Sequence, residues 1–170
     1  MFDDLTYLHP HATRTITIAD PIVPTVDGAD ARLRRVALVG NHLPRHCGLA
    51  TFTTHLAGAL AEAAPAVDCL VLAVNDPGRR HAYPERVRFE IAEADAGAYR
   101  RGADYLNVNG VDVVSVQHEF GIFGGRAGSH LLLMLRELRM PIVTTLHTIL
   151  SEPNLAQRRV MDELASLSQR

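Results

Sequence analysis

Four short apolar runs recur along the chain: RRVALVG (34–40), VDCLVLAV (67–74), VDVVSVQH (111–118) and PIVTTLH (141–147). Each is rich in β-branched residues and gives way to polar or Gly/Pro-rich sequence. Continuous apolar stretches of this length suit strands covered on both faces, as parallel sheets require. Helical stripes lie between them. After Gly48, the residues Leu49, Phe52, Leu56, Leu60 and Ala63 recur at three-to-four spacing until Pro65 closes the segment. Further helices are expected over Ala96–Val108, Ser129–Arg139 and about Leu155–Ser168, with a weaker strand at Val87–Ala92. Alternating strands and helices predict an α/β fold, a doubly wound and mostly parallel Rossmann-like sheet with right-handed crossovers.

A chain of 170 residues supports one sizeable core. The expected organisation is a loosely held leader over 1–33, with only Thr15–Ala19 alternating like a strand, followed by one α/β domain over 34–170. A net charge of −2, with no basic run beyond clusters such as Arg32, Arg34 and Arg35, gives no reason to expect a nucleic-acid partner. Cys47 and Cys69 are separated by a helix without CxxC spacing, which gives neither a disulfide framework nor a zinc knuckle. MFDDLTYLHPH has no basic n-region and no apolar core, and nowhere do about 18 apolar residues run together. The expectation is a cytoplasmic protein without a signal peptide or membrane span.

In open α/β sheets ligands bind beyond the carboxyl ends of the strands, where strand order reverses. Three strand ends have unusual content: Asn41–Gly48, His118–Gly125 and His147–Pro153. In the first, Gly48 opens a helix, so the backbone N–H groups of Gly48, Leu49 and Ala50 are expected to face an anion such as phosphate. The alternative is that Gly48 only makes the turn, with His42 and His46 solvated. Cys47 is either a small filler or a thiol acidified at a helix start. The loop lacks GxGxxG and GK[ST], which disfavours a dinucleotide site or a P-loop.

In VQHEFGIFGG, His118 can change charge near neutral pH and Glu119 can accept hydrogen bonds from hydroxyls. Gly121, Gly124 and Gly125 then give a loop able to fold close to a ligand. The alternative for His118 is a core imidazole bonded to a backbone carbonyl. His118 and His147 could meet across adjacent strands, but no third metal ligand is identifiable, so no metal is expected. TTLHTILSEPN contributes His147 and Thr148, then Ser151, Glu152 and Asn154; Glu152 reads equally as the start of the next helix.

GNHLPRHCGLATFTTHLAGAL, VVSVQHEFGIFGG and PIVTTLHTIL, in that order and each at a strand end, resemble the N-terminal region of bacterial retaining glycosyltransferases of GT-B architecture, family 4. The resemblance runs from about Arg34 to the end of the chain. It implies two Rossmann-like domains facing across a cleft, transferring a hexose from a UDP- or GDP-linked nucleotide-sugar to a saccharide or other hydroxyl acceptor. By that resemblance Gly48 and Leu49 match the glycine-containing loop near the donor diphosphate. His118 matches the histidine near the transferred sugar, Glu119 follows it as in members with an HE pair, and His147 with Thr148 matches the next strand end lining the cleft. The family implies neither a settled protein nucleophile nor a bound metal or other cofactor.

The sequence departs from the pattern at ELASLSQR, where family members continue into another strand and a donor-binding second domain. The expectation is therefore an acceptor-side half with little or no transferase activity as this chain alone, completed by a C-terminal domain or second subunit. Two other readings remain. One is a stand-alone α/β module binding an anionic ligand at Gly48 without catalysis. The other is a thiol or hydrolytic enzyme using Cys47 with a histidine, disfavoured by the absence of a nucleophile elbow.

Overall fold

A computed structural model describes residues 33–169. Apart from Leu33, the expected leader, including Thr15–Ala19, lies outside the described residues. The elements are β1 (Arg35–Gly40), α1 (Gly48–Ala63), β2 (Asp68–Asn75), β3 (Val87–Ala92), α2 (Ala96–Val108), β4 (Val113–His118), α3 (His130–Leu135), β5 (Ile142–Leu146) and α4 (Leu155–Leu167), with a 3₁₀ turn at Arg126–Gly128 before α3. The five strands form one sheet in the order β3-β2-β1-β4-β5. All four pairings are parallel. The doubly wound parallel sheet expected from the apolar runs is the fold observed.

Strand alternation explains how one sheet supports two cores. Ala37 and Val39 of β1 pack with Leu70, Leu72, Val114 and Val116 against α2, α3 and α4. Leu38, Val71 and Cys69 point the other way and meet Leu56, Ala57 and Leu60 of α1. Ala37, Leu38 and Val39 are fully buried, which is why the run reads as continuously apolar. Burying a side chain such as Leu38 contributes about 1.5–3 kcal/mol. At the start of β1, one Asp112 carboxylate oxygen accepts from the backbone N–H groups of Arg34 (2.7 Å) and Arg35 (2.8 Å). These two donors hold the Asp112 carboxyl below its usual range.

Helix ends follow local chemistry. Asn154 caps α4 and Gln157 returns a bond to the cap backbone, so α4 begins after Asn154 and Glu152 stands outside it. α3 is shorter than its apolar stripe predicts: after Leu135 the backbone closes i−3 turns at Glu137 (3.0 Å) and Leu138 (3.4 Å). Pro141 disfavours a helical conformation at Met140 and turns the chain into β5.

Because every strand points the same way, the loops after β1, β4 and β5 lie on one rim. The chain passes from β1 through α1 to β2 on one side, and α2 later returns it to β4 on the other side of β1. Strand order therefore reverses between β1 and β4, the position where α/β sheets open a crevice.

Candidate functional site

An open crevice of about 520 Å³ occupies this reversal point. The β1–α1 connection supplies Arg45 and Cys47, and α1 itself supplies Gly48, Leu49 and Phe52. From the other two strand ends come Glu119, Gly121, Ile122 and His147. Six residues singled out in the sequence (Cys47, Gly48, Leu49, Glu119, Gly121 and His147) thus meet in one place.

The helix start is built by Cys47. Its extended backbone ends the loop, and its sulfur accepts from the Ala50 N–H at 3.3 Å, acting as the N-cap of α1. Ala50 N–H is consequently engaged, while the Gly48 and Leu49 N–H groups are those the helix geometry leaves without intrahelical partners. Gly48 is exposed, and a Cβ placed on it meets nothing within 4 Å, so its backbone is openly approachable. The loop before it is pinned from below. Asn41 is buried and its amide donates to the Val74 carbonyl (2.7 Å); His42, also buried, pairs Nδ1 with the Leu43 carbonyl (2.6 Å). His46 is exposed and is not among the crevice residues.

Arg45 fixes the loop laterally. Its guanidinium donates to both oxygens of Asp76, from Nε at 2.9 Å and from Nη2 at 2.7 Å, tying the β1–α1 loop to the end of β2. The hydrogen bond raises the Arg45 pKa and lowers that of Asp76. Behind it, Tyr83 donates to Asn75 (2.6 Å), which donates to Glu90 (2.6 Å). Burial pushes the Tyr83 phenol up to about 12.

Strand parity decides which members of the HE pair reach the crevice. Gln117, Glu119 and His147 share the α1 side of the sheet. Gln117 is fully buried and its amide nitrogen donates to Ser115 Oγ (2.9 Å), so its oxygen faces His147 Nε2 at 3.1 Å. An amide oxygen only accepts, so in this contact Nε2 is the donor. The His147 ring also meets Phe52 edge-on, with centroids 4.7 Å apart. Glu119 accepts from the Phe120 N–H (3.0 Å) and from the Thr148 hydroxyl, so Thr148 joins the site through Glu119.

His118 points the opposite way. Its ring is fully buried, stacked on Phe123 (6.1 Å) and edge-on to Phe120 (5.0 Å). Among the described residues neither ring nitrogen has a hydrogen-bond partner. The core-histidine alternative thus has the burial it requires but lacks the carbonyl partner. Desolvation lowers the His118 pKa, opposed by the nearby Glu119 carboxylate and reinforced by His147.

The glycines after His118 divide in the same manner. Gly121 is exposed and lines the crevice. Gly124 instead packs against the β3–α2 turn, where an added Cβ would sit 2.0 Å from the Glu93 carbonyl oxygen. Its N–H donates to the Tyr99 hydroxyl (3.1 Å), which in turn donates to that carbonyl (3.1 Å). Three residues of the crevice, Arg45, Phe52 and Ile122, escaped the sequence reading. Arg45 sat within the β1–α1 loop without a recognisable partner, and Phe52 fell on the apolar stripe of α1 although it is 44% exposed.

Among the described residues no group of three His, Cys, Asp or Glu side chains is placed to share a metal ion. Both cysteines are free thiols. None of the described helices is long and apolar enough to cross a membrane. Neither the family models nor the curated proteins searched match the chain.

Proposed function

We propose that the crevice binds a phosphate-bearing sugar, and that the chain is the acceptor-side half of a retaining hexosyltransferase acting on a UDP- or GDP-linked donor. The observation that carries this reading is the meeting of three strand ends, far apart in sequence, at the point where strand order reverses. The start of α1 offers the Gly48 and Leu49 N–H groups and the positive end of a 16-residue helix dipole to a phosphate. Arg45 lines the same crevice while its guanidinium is paired with Asp76, which holds the loop before the helix start in place. Glu119 and His147 line the same crevice, and the Glu119 carboxylate, an acceptor, suits the donor hydroxyls of a sugar. Thr148 orients Glu119. His118 stands outside this binding set because its ring has no surface on the crevice.

In such a transfer the chain's own contribution is to bind and orient: helix-start donors hold phosphate charge while acceptors fix the hydroxyls of the ring. A second reading, a binding module without chemistry, uses the same helix start and differs in requiring no sugar. Calorimetry with UDP-glucose, GDP-mannose, free UDP, free GDP and inorganic phosphate separates the two. The proposed function requires a sugar-linked nucleotide to bind more tightly than the free nucleotide; equal binding favours the module, and no binding to any of them removes both. Gly48→Val places a branched side chain over the helix start, where its Cβ meets no protein atom within 4 Å. Thermal stability should be preserved while nucleotide-sugar binding falls at least tenfold, and unchanged binding would place the phosphate elsewhere.

A further inference from the structure

Phe52 is a large apolar side chain left 44% exposed on the first turns of a helix whose neighbouring positions, Ala50 and Thr53, are fully buried. It lines the crevice with Leu49 and Ile122, an apolar wall in a site that also holds Arg45, Glu119 and His147. The ring is also braced by a neighbouring imidazole. Ser115 fixes the Gln117 amide, Gln117 fixes His147 through Nε2, and the His147 ring stands at 79° to Phe52 with centroids 4.7 Å apart. A chain of contacts thus runs from the buried interior of β4 to an exposed aromatic ring, which is how a binding surface is held in place before its ligand arrives.

We propose that Phe52 is the stacking platform of the crevice and determines its specificity by taking the apolar face of a hexopyranose ring. This rests on the sugar-binding reading of the same site. The axial C–H bonds of a pyranose form a flat, weakly positive patch that complements the negative face of an aromatic quadrupole. Hydroxyls around such a ring are donors, and the Glu119 carboxylate that lines the same crevice is an acceptor. A nucleobase edge would call for paired amide-like donors and acceptors, and the nearby side-chain amides are buried and committed, Gln117 to Ser115 and His147 and Asn41 to the Val74 carbonyl.

The chain contains no tryptophan, so Phe52→Trp introduces a single fluorescent reporter at the proposed platform. Titration with methyl α-glucopyranoside, methyl α-mannopyranoside and methyl β-galactopyranoside should blue-shift its emission to saturation for at least one of them, whereas uridine monophosphate and inorganic phosphate should not. Calorimetry of Phe52→Ala should show binding of UDP-glucose or GDP-mannose weakened about five- to tenfold with free phosphate binding retained. Phe52→Leu, which keeps apolar volume without an aromatic face, should follow Phe52→Ala and guards against a loss caused by misfolding. Indole emission from the Phe52→Trp variant that responds to the monophosphate and ignores every glycoside overturns the proposal, as does nucleotide-sugar affinity unchanged in both Phe52→Ala and Phe52→Leu. Failure of the parent chain to bind any nucleotide-sugar would remove the sugar-binding reading itself, a result distinguishable from failure of the platform alone.

Discussion

His118 is the most conspicuous single residue of the fold, because its fully buried ring leaves both nitrogens without partners among the described residues. An unsatisfied buried polar group costs about 1–3 kcal/mol. His118→Leu keeps apolar volume between Phe120 and Phe123 and removes that cost, so its urea midpoint at neutral pH should rise; a lower midpoint would reveal a partner for the ring. The pH dependence has a defined sign. Burial lowers the folded pKa from the ordinary 6.5, so on acidification the unfolded chain takes up this proton first. Stability from the neutral ring is complete above about pH 6.5 and is lost as pH falls through the lower folded value. Urea midpoints measured below pH 6.5 should therefore fall more steeply for the parent than for His118→Leu. The sequence pointed to His118 and Glu119 as a pair, yet side chains one residue apart on a strand face opposite ways. Only the pairing of β4 fixes which of them faces α1.

At the scale of elements, the start of α1 joins local and long-range effects. Cys47 was legible as a small residue before a helix, but its role as an N-cap depends on an extended backbone that the sequence does not specify. A hydroxyl caps better than a thiol, so Cys47→Ser should keep or raise the melting temperature and leave nucleotide-sugar binding intact. Cys47→Ala should lose about 1 kcal/mol, the usual cost of removing a cap. Loss of binding in the serine variant, with its fold preserved, would point to thiol chemistry instead. The stripe of α1 was readable because apolar residues recur at helical spacing. It misassigned Phe52 and Ala63, both exposed, and the buried positions of α1 are Ala50, Thr53 and Ala57; periodicity gives a face and not its edge, because where a stripe ends depends on how far the sheet extends beneath the helix, a tertiary property.

For the whole molecule, the two cores meet at the central strand. β1 is paired on both sides, by β2 and β4, and covered on both faces, whereas β3 and β5 lie at the sheet edges. Val143 and Leu146 of β5 are each 38% exposed. Amides of Val36–Val39 should accordingly exchange with solvent only through global unfolding, while those of β3 and β5 exchange by smaller openings. Hydrogen exchange followed by mass spectrometry checks this, and equal protection across the strands would contradict the layered core. The order of elements, the parallel character of the sheet and the strand ends rich in glycine and histidine followed from the sequence alone. Apolar continuity and helical periodicity are short-range consequences of burial, so the sequence carries them openly. Which strands became neighbours was settled by packing: β1 between β2 and β4 opened the crevice at their reversal point. The same packing placed Glu119 and His147 beside Gly48, paired Arg45 with Asp76, left Phe52 at the margin and put His118 inside. Each of those outcomes depends on contacts between segments distant along the chain, where no local pattern records the partner.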